Sequence, residues 1–378
     1  MKDTEEYGCL VVGAGAAGIG IACVLQDLNV GRFCILERHE IGASFRLWPG
    51  ETRMITPSFT GNAYGLLDLN SVSLRTSPAF TLGTEHPSGS EYADYLEALA
   101  AYRKLPVRTG TDVRDVRPLE EGGFELATDK GTLRSRHVIW AAGEFQYPRT
   151  DGFPGAEYAV HSGLVREWKE LPGEEFVVVG GYESGADAAI HLARQGRKVT
   201  IIDRGGRWTE KGSSDPSLTL SPFTKDRLRE IEDGKIKLLA GYEVHWIEPK
   251  DGGGYLIYAE NANGEEAFVH TKQPPILASG FSGSLRMIRD LFGYKADGGV
   301  LLNEYDESTA FPGLFLAGPG VVHGNLIFCF IYKFRQRFGV VAGEIAKRLG
   351  LDTSPLDEYR RAGMLLTDLS CCGEDCTC

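Results

Sequence analysis

The 378-residue sequence has no long apolar run. Nowhere do apolar residues approach the roughly 20 in succession that a membrane-spanning helix requires. Basic residues are not in excess either: the formal net charge is -12 and the isoelectric point is near 5.3. That balance excludes the basic face a nucleic-acid partner demands. The first eight residues are polar and acidic and show neither the basic start nor the apolar centre of a secretory signal. The expected setting is therefore the cytoplasm, with no membrane and no nucleic acid as partner. Thiols stay reduced there, so the eight cysteines do not read as a disulfide framework. No Cys-x-x-Cys occurs.

Glycine, in contrast, is abundant. The 48 glycines cluster in short motifs between apolar runs, the distribution of tight turns and backbone–phosphate contacts. The length leaves room for two packed domains. Backbone N–H groups can bind phosphate whatever the net charge, so phosphate-bearing small molecules fit this composition.

Cys9-Leu-Val-Val-Gly13 is an apolar run ending in glycine, as expected of a buried parallel strand. Gly13-Ala14-Gly15-Ala16-Ala17-Gly18 follows, then a helical pattern from Ile19 to Leu28. A second strand, Phe33-Cys34-Ile35-Leu36, ends in Glu37. This is a complete βαβ dinucleotide fingerprint. Gly13 permits the tight turn, Gly15 the approach of backbone to a pyrophosphate, and Gly18 the close packing of helix on strand. Glu37 stands where a carboxylate accepts the ribose hydroxyls. Such a site at the front of a chain, with a second one downstream, is expected to hold FAD.

The second unit opens with Phe176-Val-Val-Val-Gly180 and continues Gly181-Tyr182-Glu183-Ser184-Gly185, a helix through Ala193 and a strand Val199–Ile202. Tyr182 occupies the place of the middle glycine, and Gly181 is the candidate to supply the close approach instead. The strand ends Asp203-Arg204. Asp203 suits the 2′-hydroxyl of NADH, whereas Arg204 and Arg207 suit the 2′-phosphate of NADPH; the expected coenzyme is NADPH, with NADH as the alternative. Three further strands close on small residues: Val138-Ile-Trp-Ala-Ala142-Gly143, Ile276-Leu-Ala-Ser279-Gly280 and Phe311-Pro-Gly-Leu-Phe-Leu-Ala-Gly318. Small residues at strand ends let a chain cross close to a cofactor.

This order of elements resembles the two-dinucleotide-domain flavoproteins, which include thioredoxin-reductase-like enzymes and flavin-containing monooxygenases. The resemblance implies an α/β fold with two Rossmann-like, three-layer domains, the NAD(P)H domain inserted into the FAD domain. The implied FAD domain is 1–150 with 275–350, the NAD(P)H domain is 151–274, and a C-terminal helix with a cysteine-rich tail fills 351–378. It also implies that Arg38 and Val113 contribute to the FAD site, that Arg46, Trp48 and Asn62 lie near the isoalloxazine, and that the protein is a homo-oligomer, dimer or tetramer.

Two branches compete. Gly42-Ala-Ser-Phe-Arg46-Leu-Trp48, the start Gly185-Ala-Asp187 and the loose match Phe153-Pro-Gly155…His161 resemble the monooxygenases. Arg204-Gly-Gly-Arg-Trp208 and the segment Ile327–Ala342 resemble the bacillithiol-disulfide reductases, but the cysteine of that family's first glycine loop is replaced by Ala17. A flavin-side thiolate is needed to attack a disulfide, and Cys329 is the one remaining internal candidate, its reading as a core residue standing beside it. The last helix is expected to end near Leu366. Beyond it Cys371, Cys372, Cys376 and Cys378 crowd the end, and Leu369-Ser-Cys371-Cys372 resembles the C-terminal thiol pair of mercuric reductases. A redox arm, a soft-metal site and an end with little role all fit this tail.

The expected activity is an NAD(P)H-dependent FAD oxidoreductase that oxygenates a small-molecule substrate. One alternative passes electrons to a low-molecular-weight disulfide or the tail. Another is a non-catalytic flavin or thiol redox sensor, or a soft-metal binder.

Overall fold

In the computed structural model, which describes residues 5–61, 65–206, 208, 216–296 and 298–370, the first apolar run becomes the buried half of strand β1 (Glu5–Val12). Helix α1 (Ala16–Asp27) follows, and β2 (Phe33–Leu36) returns parallel to β1, setting Leu10 beside Cys34 and Val12 beside Leu36. Ten of the twelve residues of α1 are buried. A helix apolar on all sides must be covered on all sides, and the helix Phe338–Arg348 packs against it.

Short helices α2 (Ala43–Arg46) and α3 (Pro78–Leu82) precede α4 (Gly89–Arg103), whose start is fixed by a capping box between Ser88 and Glu91. β3 (Val107–Arg108) pairs outside β2. Then β4 (Val113–Pro118), β5 (Phe124–Thr128) and β6 (Gly131–Trp140) form an antiparallel meander that brings β6 back beside β1. β6 changes partner along its length. Residues 131–135 pair with β5, whereas 138–140 pair parallel with Leu314–Leu316. That switch delivers two glycine-ended strands to one place.

This sheet belongs to a unit made of the residues up to Arg46, Pro57–Gln146 and those from Gly283 onward. The other unit comprises Leu47–Thr56 and Tyr147–Ser282. It contains β7 (Val160–His161), β8 (Glu175–Val179), α5 (Glu183–Arg194), β9 (Lys198–Asp203), α6 (Pro222–Arg229) and β10 (Ile236–Ala240). The antiparallel strands β11 (Tyr242–Pro249), β12 (Tyr255–Asn261) and β13 (Glu266–Thr271) follow, then β14 (Ile276–Leu277). The parallel sheet runs β10-β9-β8-β14-β7.

Alternate residues of β8 and β9 serve different layers, as the two-residue strand period requires. Val178 and Ile201 pack with Ala188, Ala189 and Leu192 of α5. Val177 and Ile202 pack with Val244, Ile247 and Ile257 of the β11–β13 sheet. A sheet buried on both faces reads as an unbroken apolar run, which is why Phe176–Val179 shows no alternation. The fold is α/β with two Rossmann-like elements.

One boundary is corrected. The last helix is Leu356–Arg361, not one reaching Leu366. Gly363 turns the chain at φ +68, and the Leu366 amide donates to the Gln336 carbonyl at 3.0 Å. Among the described residues no helix is long and apolar enough to cross a membrane.

Candidate functional site

The first glycine loop is built around its own packing at both ends and around open space in the middle. Gly13 has φ +104, and a Cβ there would sit 2.6 Å from the Ala141 carbonyl oxygen and 2.9 Å from the Ala142 Cα. A Cβ on Gly18 would collide with the Gly13 carbonyl. A Cβ on Gly15 would meet nothing within 4 Å. The outer glycines are therefore demanded by the chain, and the middle one borders a cradle that a ligand can fill. Ala16 and Ala17 begin α1, with Gly15 as N-cap and no side-chain cap. The N–H groups of that first turn are left for an anion.

Glu37 is buried at the end of β2. One carboxylate oxygen accepts from the Ala14 amide and the other from the His39 amide, each at 2.8 Å. A carboxylate offers about four lone-pair sites, so about two remain. The Thr111 amide bonds the Glu37 carbonyl at 2.8 Å, which holds the segment leading to the buried Val113 against it. Arg38 pairs with Asp112 at 2.9 Å. Gly318 closes the other side, where a Cβ would lie 3.3 Å from the Cβ of Ala17. The Gly143 carbonyl accepts from the Ser284 amide at 3.0 Å. The unit thus gathers its loop, its acidic strand end and two glycine-ended strands.

Arg46 is engaged by carboxylates. Its guanidinium is held by Asp94 at 2.8 Å, Glu97 at 2.9 Å and Glu40 at 3.4 Å. Trp48 is half-buried in the segment Leu47–Thr56 of the second unit. Asn62, Arg207 and the four tail cysteines Cys371, Cys372, Cys376 and Cys378 lie outside the described residues.

The second loop copies the first in backbone. Gly180 has φ +96 with its Cβ direction closed by the Ala278 carbonyl, and a Cβ on Gly185 would collide with the Gly180 carbonyl. Tyr182 (φ -84, ψ -163) takes the conformation of Gly15 (φ -81, ψ -168), so no strain opposes a side chain there. Gly181, expected to supply the close approach, also has a packing role. Its Cβ direction points at the Asp203 side chain, 2.8 Å away, so glycine is needed there for strand-end packing.

Asp203 accepts from the amides of Gly181 (2.9 Å), Gly205 (3.1 Å) and Gly206 (2.6 Å). The first of these bonds repeats the one between Glu37 and Ala14. Arg204 is exposed, with Glu243 3.5 Å away. The Tyr182 hydroxyl donates to the carbonyls of Pro216 and Thr219, and the Trp208 indole N–H donates to the Gly181 carbonyl at 2.5 Å. Glu183, first residue of α5, accepts from the Ser221 amide and from the Thr224 hydroxyl at 2.6 Å, and burial pushes its carboxyl pKa up. Ser184 stands beside it in the first turn.

At the crossover, Ser279 donates to the Arg149 carbonyl at 2.6 Å, and Gly280 has φ +78. His161 is buried, and its Nδ1 accepts from the Gly163 amide at 3.1 Å. The ring proton therefore sits on Nε2, which donates to the Gly280 carbonyl at 2.9 Å. Burial lowers the His161 pKa, in keeping with a neutral ring. The histidine of the monooxygenase-like match is a staple between two chain segments.

Cys9, Cys23 and Cys34 are buried, and burial pushes the Cys23 thiol up to about 11. Cys329 is half-buried. Among the described residues no group of three or more His, Cys, Asp or Glu could hold a metal ion.

The contact of Trp208 with the glycine loop and the contacts of Glu183 were not legible in the sequence, both being made between segments distant along the chain. Sequence reasoning passed over the buried pair Asp187–Arg227, joined at 2.7 Å. A signal for that pair existed: a charged residue in the apolar run Gly185-Ala-Asp187-Ala-Ala needs a partner.

Residues 10–318 match the family model described as pyridine nucleotide-disulphide oxidoreductase. Bacilliredoxin reductase Bdr of Bacillus subtilis (strain 168) is 23% identical over 344 residues, 90% of this chain and 97% of that protein. Among solved structures, bacillithiol disulfide reductase Bdr (YpdA) from Staphylococcus aureus superposes with a TM-score of 0.72 at 18% identity, covering 91% of this chain and 99% of its own. A flavin-containing monooxygenase from Stenotrophomonas maltophilia gives 0.66 at 16% identity, covering 92% and 100%. At such identities these two likenesses concern the fold.

Proposed function

The chain belongs to the pyridine nucleotide-disulphide oxidoreductase family, as an NAD(P)H-dependent flavoprotein oxidoreductase, and on that premise we propose that it uses reduced FAD to oxygenate a small substrate. The observation that carries this reading is Ala17. The position beside Gly318 where a disulfide-attacking thiol would stand holds a methyl group, so electrons leave the flavin without a thiol relay there.

Both sites fit their cofactors. Gly15 borders an open cradle, and the free N–H groups of α1 suit the pyrophosphate of FAD. Glu37 retains acceptor capacity for the adenosine ribose. Bound FAD supplies hydride acceptance and the onward electron transfer. In the second unit Asp203 has three amides on its carboxylate, while Arg204 stands exposed at the same strand end. That division favours a 2′-phosphate and hence NADPH. Tyr182 and Trp208 fix the loop by hydrogen bonds and leave the amides at the start of α5 to the pyrophosphate. In this reading 1–150 with 275–350 form the FAD domain, 151–274 form the coenzyme domain, and the enzyme is a cytoplasmic homo-oligomer.

A second reading is favoured by the relative matched over 97% of its length, a bacilliredoxin reductase. There electrons go to a low-molecular-weight disulfide or to the thiols at Cys371 and Cys372. The test is to reduce the FAD-loaded protein with NADPH without oxygen, then mix it with oxygenated buffer or with a disulfide such as cystine. Oxygenation predicts faster reoxidation by oxygen. Reoxidation at least tenfold faster by the disulfide would make the disulfide the acceptor instead, and no reduction by NADPH or NADH would leave the sensor reading.

A further inference from the structure

The second unit contains a cavity of about 420 Å³ that the proposed function does not use. It opens along α5, well past the glycine loop. Asp187, His191 and Arg194 follow Glu183 by four, eight and eleven residues, or roughly 6, 12 and 16 Å along the helix axis. Arg53, Lys169, His191, Arg194, Phe223 and Arg227 line it, together with the carboxylates of Glu51 and Glu167.

Its inner wall is built and buried. Arg227 lies over the Phe223 ring, 4.3 Å from the centroid, donates Nη1 to Asp187 at 2.7 Å and donates Nη2 to the Thr224 hydroxyl at 3.2 Å. The Thr52 hydroxyl takes the other Asp187 oxygen at 2.7 Å. Two nitrogens of this wall are buried without a hydrogen-bond partner. One is Nε of Arg227, whose side chain is 7% exposed. The other is Nε2 of His191, which lies 3.3 Å from the Asp187 oxygen that Arg227 already takes. A buried donor without an acceptor is costly.

The charges at the mouth are unequal in their freedom. Lys169 pairs with Glu167, and Arg194 pairs with Glu230. Glu51 has its two oxygens engaged by the amides of Trp168 and Lys169, each at 3.1 Å. Arg53 has no carboxylate partner among the described residues. Its Nη1 is fixed on the carbonyls of Gly50 (2.8 Å) and Thr52 (3.0 Å), leaving Nε and Nη2 to a ligand.

We propose that this cavity is a binding site for a small oxyanion, phosphate or carboxylate, separate from the dinucleotide loop. Acceptor oxygens of such a ligand pair with the open Nε and Nη2 of Arg53 and neutralise its charge, which no apolar or cationic ligand does. The site is also wired to the loop. Arg227 donates to Thr224, Thr224 donates to Glu183, and Glu183 begins α5. Occupancy therefore biases coenzyme binding, a step that rests on the assignment of residues 180–185 to the nicotinamide coenzyme. The site itself does not rest on it.

The test uses the full-length, FAD-loaded protein, titrated calorimetrically with inorganic phosphate and with succinate, against sodium chloride at matched ionic strength. Saturable binding of at least one probe is expected, with Kd raised at least tenfold in Arg53→Gln and unchanged in Arg114→Gln, a substitution in the other unit. Arg53 is partly exposed, so the variant is expected to fold, which its thermal melt checks. No saturable binding of either probe beyond the chloride control, or equal Kd in Arg53→Gln, overturns the proposal. Coupling predicts that the bound probe changes the Kd of NADPH by the same factor as NADPH changes that of the probe. A protein that binds the probe but no NADPH would refute the loop assignment and leave the site standing.

Discussion

At the scale of single residues, the two loops separate what a glycine does for the chain from what it does for a ligand. Gly18 is closed off by the Gly13 carbonyl, whereas Gly15 faces open space at an ordinary φ of -81. Gly15→Ala should therefore fold with stability within about 1 kcal/mol of the parent and yet lose at least tenfold in FAD affinity. Gly18→Ala should fail to fold stably. Thermal melts paired with the ratio of flavin to protein absorbance read both outcomes. Glu183 supplies a second prediction. A negative charge at the start of α5 opposes a pyrophosphate there, so Glu183→Gln should tighten NADPH binding a few-fold, measured by equilibrium titration. An unchanged or weaker affinity would mean that the coenzyme does not sit on this helix end.

At the scale of elements, the second unit is held by polar contacts that the apolar pattern concealed. Asp187 binds Arg227, His191 lies 3.3 Å away, and Thr52 joins the segment Leu47–Thr56 to α5. Removing one member of a buried pair leaves the other uncompensated, so Asp187→Asn should cost about 3–5 kcal/mol in urea unfolding. Buried histidines set a pH dependence. Burial lowers the pKa of both His137 and His161 below the ordinary 6.5. The folded rings stay neutral where the unfolded chain already takes up a proton, so stability is full above pH 6.5 and falls as pH drops below it. The melting temperature should decrease between pH 7 and pH 5.5, and His161→Gln should flatten that slope. A slope that His161→Gln leaves unaltered would remove His161 from this account.

At the scale of the whole molecule, two Rossmann-like elements in one chain supply the parts for moving hydride from NADPH to FAD, and the final acceptor decides the enzyme's use. If oxygenation is correct, product should form in proportion to NADPH consumed once a substrate is found, with little hydrogen peroxide released. Full conversion of NADPH into peroxide with every substrate tried, together with rapid turnover on disulfides, would assign the chain to reduction instead.

The sequence by itself determined the two strand–glycine–helix–strand elements, the order in which they come and the acidic ends at Glu37 and Asp203. Each of these rests on local physics: apolar runs that must be buried on both faces, a turn that needs positive φ, and a helix start that leaves amides unpaired. The absence of a thiol at position 17 was legible in the same way. Only the tertiary structure decided that Gly181 serves Asp203, that Arg46 is held by three carboxylates and that His161 is a staple. It alone showed that a charged aspartate inside α5 finds its arginine forty residues later. Those are pairings between segments far apart in sequence. The physics that fixes them, desolvation of charge and the need to satisfy buried donors, acts on neighbours in space and leaves no periodic trace along the chain.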